Sequence, residues 1–304
     1  MTIKRKVIQI AGSTCLVSLP KDWIKSMNVK KGDELDLQVE NEKVVVSADS
    51  DSKPELIKVD VTDAELFVFR FLGAIYKSGY DEVEMRIGDN TSLKDLSRQI
   101  NAMLPGYEIV DQHGSTCVIK NISKGLESEF DILLRKIFLI TRTMANNTLE
   151  AIKTKEYSHL SDTLILEETT NRFCNFCERL LNKRGYKNTK KTTFVYNIVW
   201  ELEKVADQFK YLNNYILEKK NIKISKETIV MFEKVNDLFS TFYELFYKFD
   251  QAKVQKIAEG RKTLVAESNR LFASRTTDPK IVHHLENVVQ MVFNMTGSYL
   301  GTAF

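Results

Sequence analysis

Apolar residues recur along this chain in two rhythms, and the change between them divides it. Over Thr193–Ile216 they fall at Val195, Ile198, Leu202, Val205, Phe209, Leu212 and Ile216. The spacing alternates between three and four, which places all seven on one side of a long helix. With Leu202 at heptad position a, Val205 is d. Glu203 and Asp207 then fall at b and f, one turn apart on what reads as the outer face. A second stretch keeps the same rhythm at Ile281, Leu285, Val288, Val292, Met295 and Tyr299. Leu285–Gln290 can be laid over Leu202–Asp207, which aligns Glu286 with Glu203 and Gln290 with Asp207. Such a match is the mark of an internal repeat.

The helical rhythm extends over residues 125–304 and predicts six helices, at about 128–155, 159–184, 189–219, 225–250, 252–275 and 278–301. Breaks fall at Glu156–Ser158, Arg184-Gly185, Asn221–Ser225, Asp250-Gln251 and Thr276–Pro279. Long helices with short connections run antiparallel to their neighbours. A third helix matching the sixth predicts tandem three-helix bundles, over about 125–221 and 222–304.

Before residue 125 the period shortens. Residues 1–50 read strand, short helix, strand, strand: β-rich runs at Lys6–Ile10 and Cys15–Leu19 flank Gly12-Ser13, Pro20 opens a helix, and Glu34–Val39 and Val44–Val46 follow about an Asn41–Lys43 turn. Elements this short bury little surface alone, so the unit is expected to dimerise through shared strands. Residues 51–124 read β-α-β-α-β-β, a small α+β connector domain. In it Asp63 is the expected cap of a helix through Leu66, Phe69, Leu72 and Ile75. The fold class is therefore multidomain α+β, ending in an all-α domain.

Composition supports that division. The 4 Pro and 12 Gly sit mainly in the first 125 residues. Net charge is +3 overall, but residues 1–31 carry seven Lys/Arg against the single acid Asp22, and residues 32–50 carry six acids against Lys43. A basic N-terminal module is compatible with a polyanion partner and equally with a mixed soluble surface. Four cysteines make no disulfide framework in a chain this long. Cys174 and Cys177 share a helical face without a second pair to complete a zinc site. No apolar run reaches the ~20 residues of a membrane span, and no cleavage pattern follows the basic start. The expectation is a cytoplasmic protein without membrane insertion. Neither GxSxG, a Walker A loop nor GxGxxG is present. His113 reads as solvated in a hairpin tip beside Gly114, and His159, His283 and His284 lack an arranged nucleophile, so no enzymatic activity is expected.

One feature of the helices bears on chemistry. Glu203 and Asp207, four apart, repel by roughly 0.2–0.5 kcal/mol if nothing sits between them. A divalent or ferric ion would turn repulsion into ligation, with Glu167, Glu168 and Asn171 of the preceding helix as further donors. Against this, Lys210 lies three residues on from Asp207 and Lys204 is adjacent to Glu203. Two carboxylates are also few for a tight site. Lys183, Arg184, Lys187, Lys190 and Lys191 make a basic tip that reads either as an anion site or as a solvated loop.

Two resemblances add to this. Arg5-Lys6-Val7, Gly12-Ser13, Leu19-Pro20-Lys21-Asp22-Trp23 and Gly32-Asp33 resemble the AbrB/SpoVT/MazE family over about Ile3–Ala48. The resemblance implies a swapped-hairpin homodimer that binds DNA. Lys4, Arg5, Lys6, Lys21 and Lys25 are the candidate phosphate contacts, presented twice by a two-fold dimer. Trp200–Asp207 resembles the Leu-Glu-Arg-Ile-(Ala/Gly)-Asp signature of PhoU repeats, and Leu166–Arg172 resembles the acidic start of their second helix. That resemblance covers about 125–304. It implies surface metal clusters and a negative role in phosphate signalling. Its ExxxD carries over to Glu203 and Asp207, but in the second repeat only to Glu286, with Glu267 as a second-helix counterpart. The order of parts resembles archaeal phosphate-uptake regulators. It implies either a DNA-binding transcriptional regulator of phosphate homeostasis, or an adaptor without DNA that docks on a transporter's ATPase subunit or a signalling kinase.

Overall fold

The structure, a computed structural model, describes the chain except residues 1–2, 11, 13, 41–42, 49–53, 65–66, 123–128 and 220–221, and the side chains of residues 38, 40 and 48. Ser13, Asn41, Leu66 and Asn221, and the expected domain boundaries at 50/51 and 124/125, lie outside the described residues. The chain divides into two compact units, Met1–Glu55 and Leu56–Phe304.

The first unit holds two antiparallel hairpins around a short helix. β1 (Val7–Ile10) pairs with β2 (Thr14–Val17), α1 spans Lys21–Ser26, and β3 (Leu35–Glu40) pairs with β4 (Lys43–Ala48). Gly12, at φ +78°, makes the first turn, and Gln9 Nε2 donates to its carbonyl at 2.8 Å. Pro20 sits at the N-cap in extended conformation, so the helix opens one residue later than expected. Cross-strand register puts Leu37 opposite Val46 and Val39 opposite Val44, on one face of the second hairpin. Most of that face is bare: Val39 is 75% exposed and Val44 62%, while Val46 is half-buried. No described residue of this unit is buried.

The second unit begins with the expected β-α-β-α-β-β order: β5 (Leu56–Val61), α2 (Val68–Lys77), β6 (Glu82–Ile87), α3 (Leu93–Met103), β7 (Tyr107–His113) and β8 (Thr116–Asn121). The sheet runs β5-β6-β8-β7, parallel between β5 and β6 and antiparallel elsewhere. Ser92 caps α3 by accepting from the Asp95 amide. Asp63 does not cap α2. The chain first makes tight turns, with Ala64 N–H on Val61 O and Phe67 N–H on Ala64 O, and α2 opens at Val68 with Phe67 at the N-cap and no side-chain cap.

The six predicted helices are present as α4 (Phe130–Thr154), α5 (Leu160–Arg184), α6 (Thr192–Glu218, entered by a 3-10 turn at Thr189–Lys191), α7 (Lys226–Tyr247), α8 (Gln251–Ser274) and α9 (Pro279–Ala303). Ser225, Asp250 and Asp278 cap α7, α8 and α9 through their side chains. Helices α4–α6 and α7–α9 form two groups of three, and α6 packs on α9. The whole stripe of α6 and that of α9 are buried in one continuous core.

The connector does not stand apart. Phe176 and Leu180 of α5 belong to the core under the sheet, with Leu72, Tyr76 and Ile100. Connector and helical half are one folded unit, which the change of period at residue 125 conceals.

Candidate nucleic-acid interface and carboxylate site

The five candidate phosphate contacts are all exposed. Lys4, Arg5 and Lys6 lead into β1, and Lys21 and Lys25 stand one turn apart on α1. None of the five makes an ion pair with a described residue. Asp33 is engaged elsewhere: its Oδ2 accepts from the Lys30 amide at 2.7 Å, closing the turn that Gly32 permits at φ +98°. Unpaired cations on one small unit are what phosphate binding uses.

The α5–α6 carboxylates differ from the expected arrangement. Asp207 is not on an outer face: it is 8% exposed and Glu167 4%. The reason is that α6 packs against α4, α5 and α9 together, so its position f lies under α5, and Val199 and Ala206 are buried as well. Between the two carboxylates stands an ammonium. Lys210 Nζ donates to Glu167 Oε1 and to Asp207 Oδ1, each at 2.6 Å. Asn171 donates to Glu167 Oε1. Burial pushes the Glu167 carboxyl up while Lys210 pulls it down. The two carboxylates hold the Lys210 ammonium well above its ordinary range against the opposing effect of burial.

Glu203 does not join this group. It pairs with Lys204 at 2.9 Å, and Lys204 in turn lies 4.7 Å from the Trp200 ring centroid. Glu168 is exposed, a helical step round from Glu167. In the second repeat Glu286 accepts from Ser268 Oγ at 2.9 Å, Gln290 from Arg261 Nε at 2.9 Å, and Glu267 pairs with Lys234 at 2.8 Å. Among the described residues no three of His, Cys, Asp and Glu are grouped to share an ion.

The basic tip is largely used internally. Lys183 pairs with Asp81, Lys187 with Asp131, and Lys191 donates to the Thr302 carbonyl. Cys174 and Cys177 are buried, and burial raises both thiols.

Sequence reasoning missed the α5 residues that face the connector. Arg179, 3% exposed, donates to the carbonyls of Tyr76 and Tyr80 and to Asp81. Its guanidinium lies over the rings of Tyr76 and Tyr107. Lys77 of α2 pairs with buried Glu178 at 3.0 Å. Nothing in the sequence marks Arg179, whose burial comes only from the packing of α5 on the connector.

Residues 8–54 match the MazE antitoxin family, described as antidote-toxin recognition MazE, bacterial antitoxin. No curated protein matches the chain. Among solved structures, the phosphate transport system regulatory protein PhoU from Streptococcus pneumoniae is similar at 15% identity and a TM-score of 0.44, over 58% of this chain and 95% of that one. Residues 8–54 are thus MazE-like. Among the described residues no helix is long and apolar enough to cross a membrane.

Proposed function

We propose that the chain is a dimeric DNA-binding transcriptional regulator of phosphate uptake, whose helical half senses phosphate status or docks a signalling partner. The observation that carries the DNA part is the exposed set Lys4, Arg5, Lys6, Lys21 and Lys25, without an ion pair among the described residues, on a MazE-like unit. The phosphate part rests on the likeness of Trp200–Asp207 to the PhoU signature. Dimerisation follows from the bare apolar face of β3 and β4, since an isolated two-stranded hairpin is marginal in water.

The test is binding of the full chain to its own upstream DNA across a salt series. Affinity should fall with salt, and the double reversal Arg5→Glu/Lys6→Glu should reduce the log–log slope by roughly 0.9 for each phosphate that is no longer neutralised. Salt-independent or absent binding, or a double variant that binds as the parent does, rejects the reading.

A second reading is an adaptor without DNA. What favours it is a set of half-exposed aromatics on the helices, Phe194, Trp200 and Phe293, aromatic side chains being enriched where proteins meet. On this reading the helices dock on a transporter's ATPase subunit or a sensor kinase. Capture of such a subunit by the purified chain, with no DNA shift, would select it.

A further inference from the structure

A PhoU-like carboxylate pair implies a bound metal, and the residues here do not fit one. We infer that Lys210 is the resident cation of the α5–α6 site, and that the helical half works without a divalent or ferric ion there.

Three observations carry this. First, the place an ion would take between Glu167 and Asp207 is filled: the ammonium lies 2.6 Å from an oxygen of each. These are charge-assisted bonds at the short end of their range. An incoming ion must break both. Lys210 is tethered one turn away, and such an intramolecular competitor acts at an effective concentration on the order of millimolar.

Second, the remaining ligand set is too small. Glu203 is turned to Lys204 and Glu168 to solvent. Magnesium requires near-octahedral oxygen coordination, and calcium takes six to eight oxygens. While Lys210 and Asn171 hold their oxygens, Glu167 and Asp207 have no such set to offer.

Third, the second repeat has a nitrogen donor at the matching place by a different route. There the acid is absent, Gln290 stands in its position, and Arg261 from α8 donates to it. Glu286 is satisfied by the buried hydroxyl of Ser268. Both repeats therefore close the α6-type and α9-type polar positions with groups of the protein itself.

The test uses the full chain purified without a metal-affinity tag. Metal content is measured by mass spectrometry, and thermal unfolding is followed in EDTA and in millimolar Mn²⁺. The wild type should carry well under one ion per chain and unfold at the same temperature in both buffers. In Lys210→Met the cation is gone, and the Asn171 carbonyl oxygen, buried without a partner, becomes available beside the two carboxylates. This variant should gain a Mn²⁺-dependent rise in Tm of roughly 4 °C or more. Lys210→Arg, which keeps the charge, should behave as wild type. Should the methionine variant not accumulate, Lys210→Gln removes the charge while keeping two N–H donors and serves in its place. About one ion per wild-type chain, with a Tm that drops in EDTA, overturns the inference. So does a charge-removing variant that responds to Mn²⁺ no more than wild type.

Discussion

Arg179 Nη2 lies 2.8 Å from Asp81 Oδ1, joining residues 98 apart in the chain. The same guanidinium donates to the Tyr76 carbonyl at 2.8 Å and the Tyr80 carbonyl at 2.6 Å. It is the polar centre of the contact between α5 and the end of α2 with its connection to β6. Removing the guanidinium leaves the Tyr76 and Tyr80 carbonyls without this donor, while Asp81 keeps Lys183. Arg179→Ala should therefore cost about 1–3 kcal/mol. Arg179→Lys should recover little of it, because an ammonium cannot fork to a carbonyl and a carboxylate in one plane. Urea unfolding measures both, and a loss under about 1 kcal/mol for the alanine variant would show the contact to be peripheral.

That contact marks where sequence reading stops. The stripes of α6 and α9 follow from three-and-four spacing, and the helix ends from Ser225, Asp250 and Asp278, because those signals are local. Which side of α6 faces solvent is not local. Asp207 is at position f, outside the seam that Leu202 and Val205 define, yet α5 covers it. Lys210 is visible three residues on from Asp207, but its second bond, to Glu167, depends on the packing of α5 on α6. Arg179 carries no periodic signal, since its partners lie about a hundred residues away in the chain. The basic run of residues 183–191 is legible as charge, whereas its pairing with Asp81 and Asp131 is not.

Two glycines give opposite expectations for the same substitution. A Cβ on Gly88 would meet the Thr62 carbonyl oxygen at 2.5 Å, where the ends of the parallel strands β5 and β6 come together. That atom is backbone and has nowhere to go. Gly88→Ala should cost about 1–3 kcal/mol through overpacking. Gly73, within α2, has nothing within 4 Å of such a Cβ, so Gly73→Ala should stabilise by roughly 0.5–1 kcal/mol through helix propensity. Denaturant midpoints of the two variants should move in opposite directions, and a shared direction would contradict the local packing.

The bare face of the second hairpin leads to an assembly prediction. Leu37, Val39 and Val44 face solvent within one chain. Covering them in a homodimer would stabilise by roughly 25 cal/mol for each Å² of apolar surface removed from water. Val39→Asp places a carboxylate in that contact and should shift the chain from dimer to monomer in sedimentation. It should also weaken DNA binding, because a monomer presents its cations once. A dimer of unchanged stability would locate the interface elsewhere.

His284 supplies a pH dependence whose sign can be worked out. Its ring lies between α9 and α6, with Nδ1 2.9 Å from Gln208 Oε1. Burial, then the neighbouring His283 and Lys280, lower its pKa to about 4. The unfolded value is the ordinary one, about 6.5. Between these values the unfolded chain binds a proton at this position and the folded chain does not. Stability from this residue is therefore complete above pH 6.5 and is lost as the pH falls towards 4. A ring that is partly open to water keeps only part of the nominal effect, on the order of 1 kcal/mol. Glu167 and Glu178, whose carboxyls burial pushes up, act with the opposite sign, so the total slope does not isolate the histidine. The difference between wild type and His284→Gln does, since the carboxylates are common to both. Unfolding midpoints at about pH 7 and about pH 5, either side of the ordinary histidine value, should show wild type losing more stability than the variant, and equal losses would mean that the ring takes up its proton without cost.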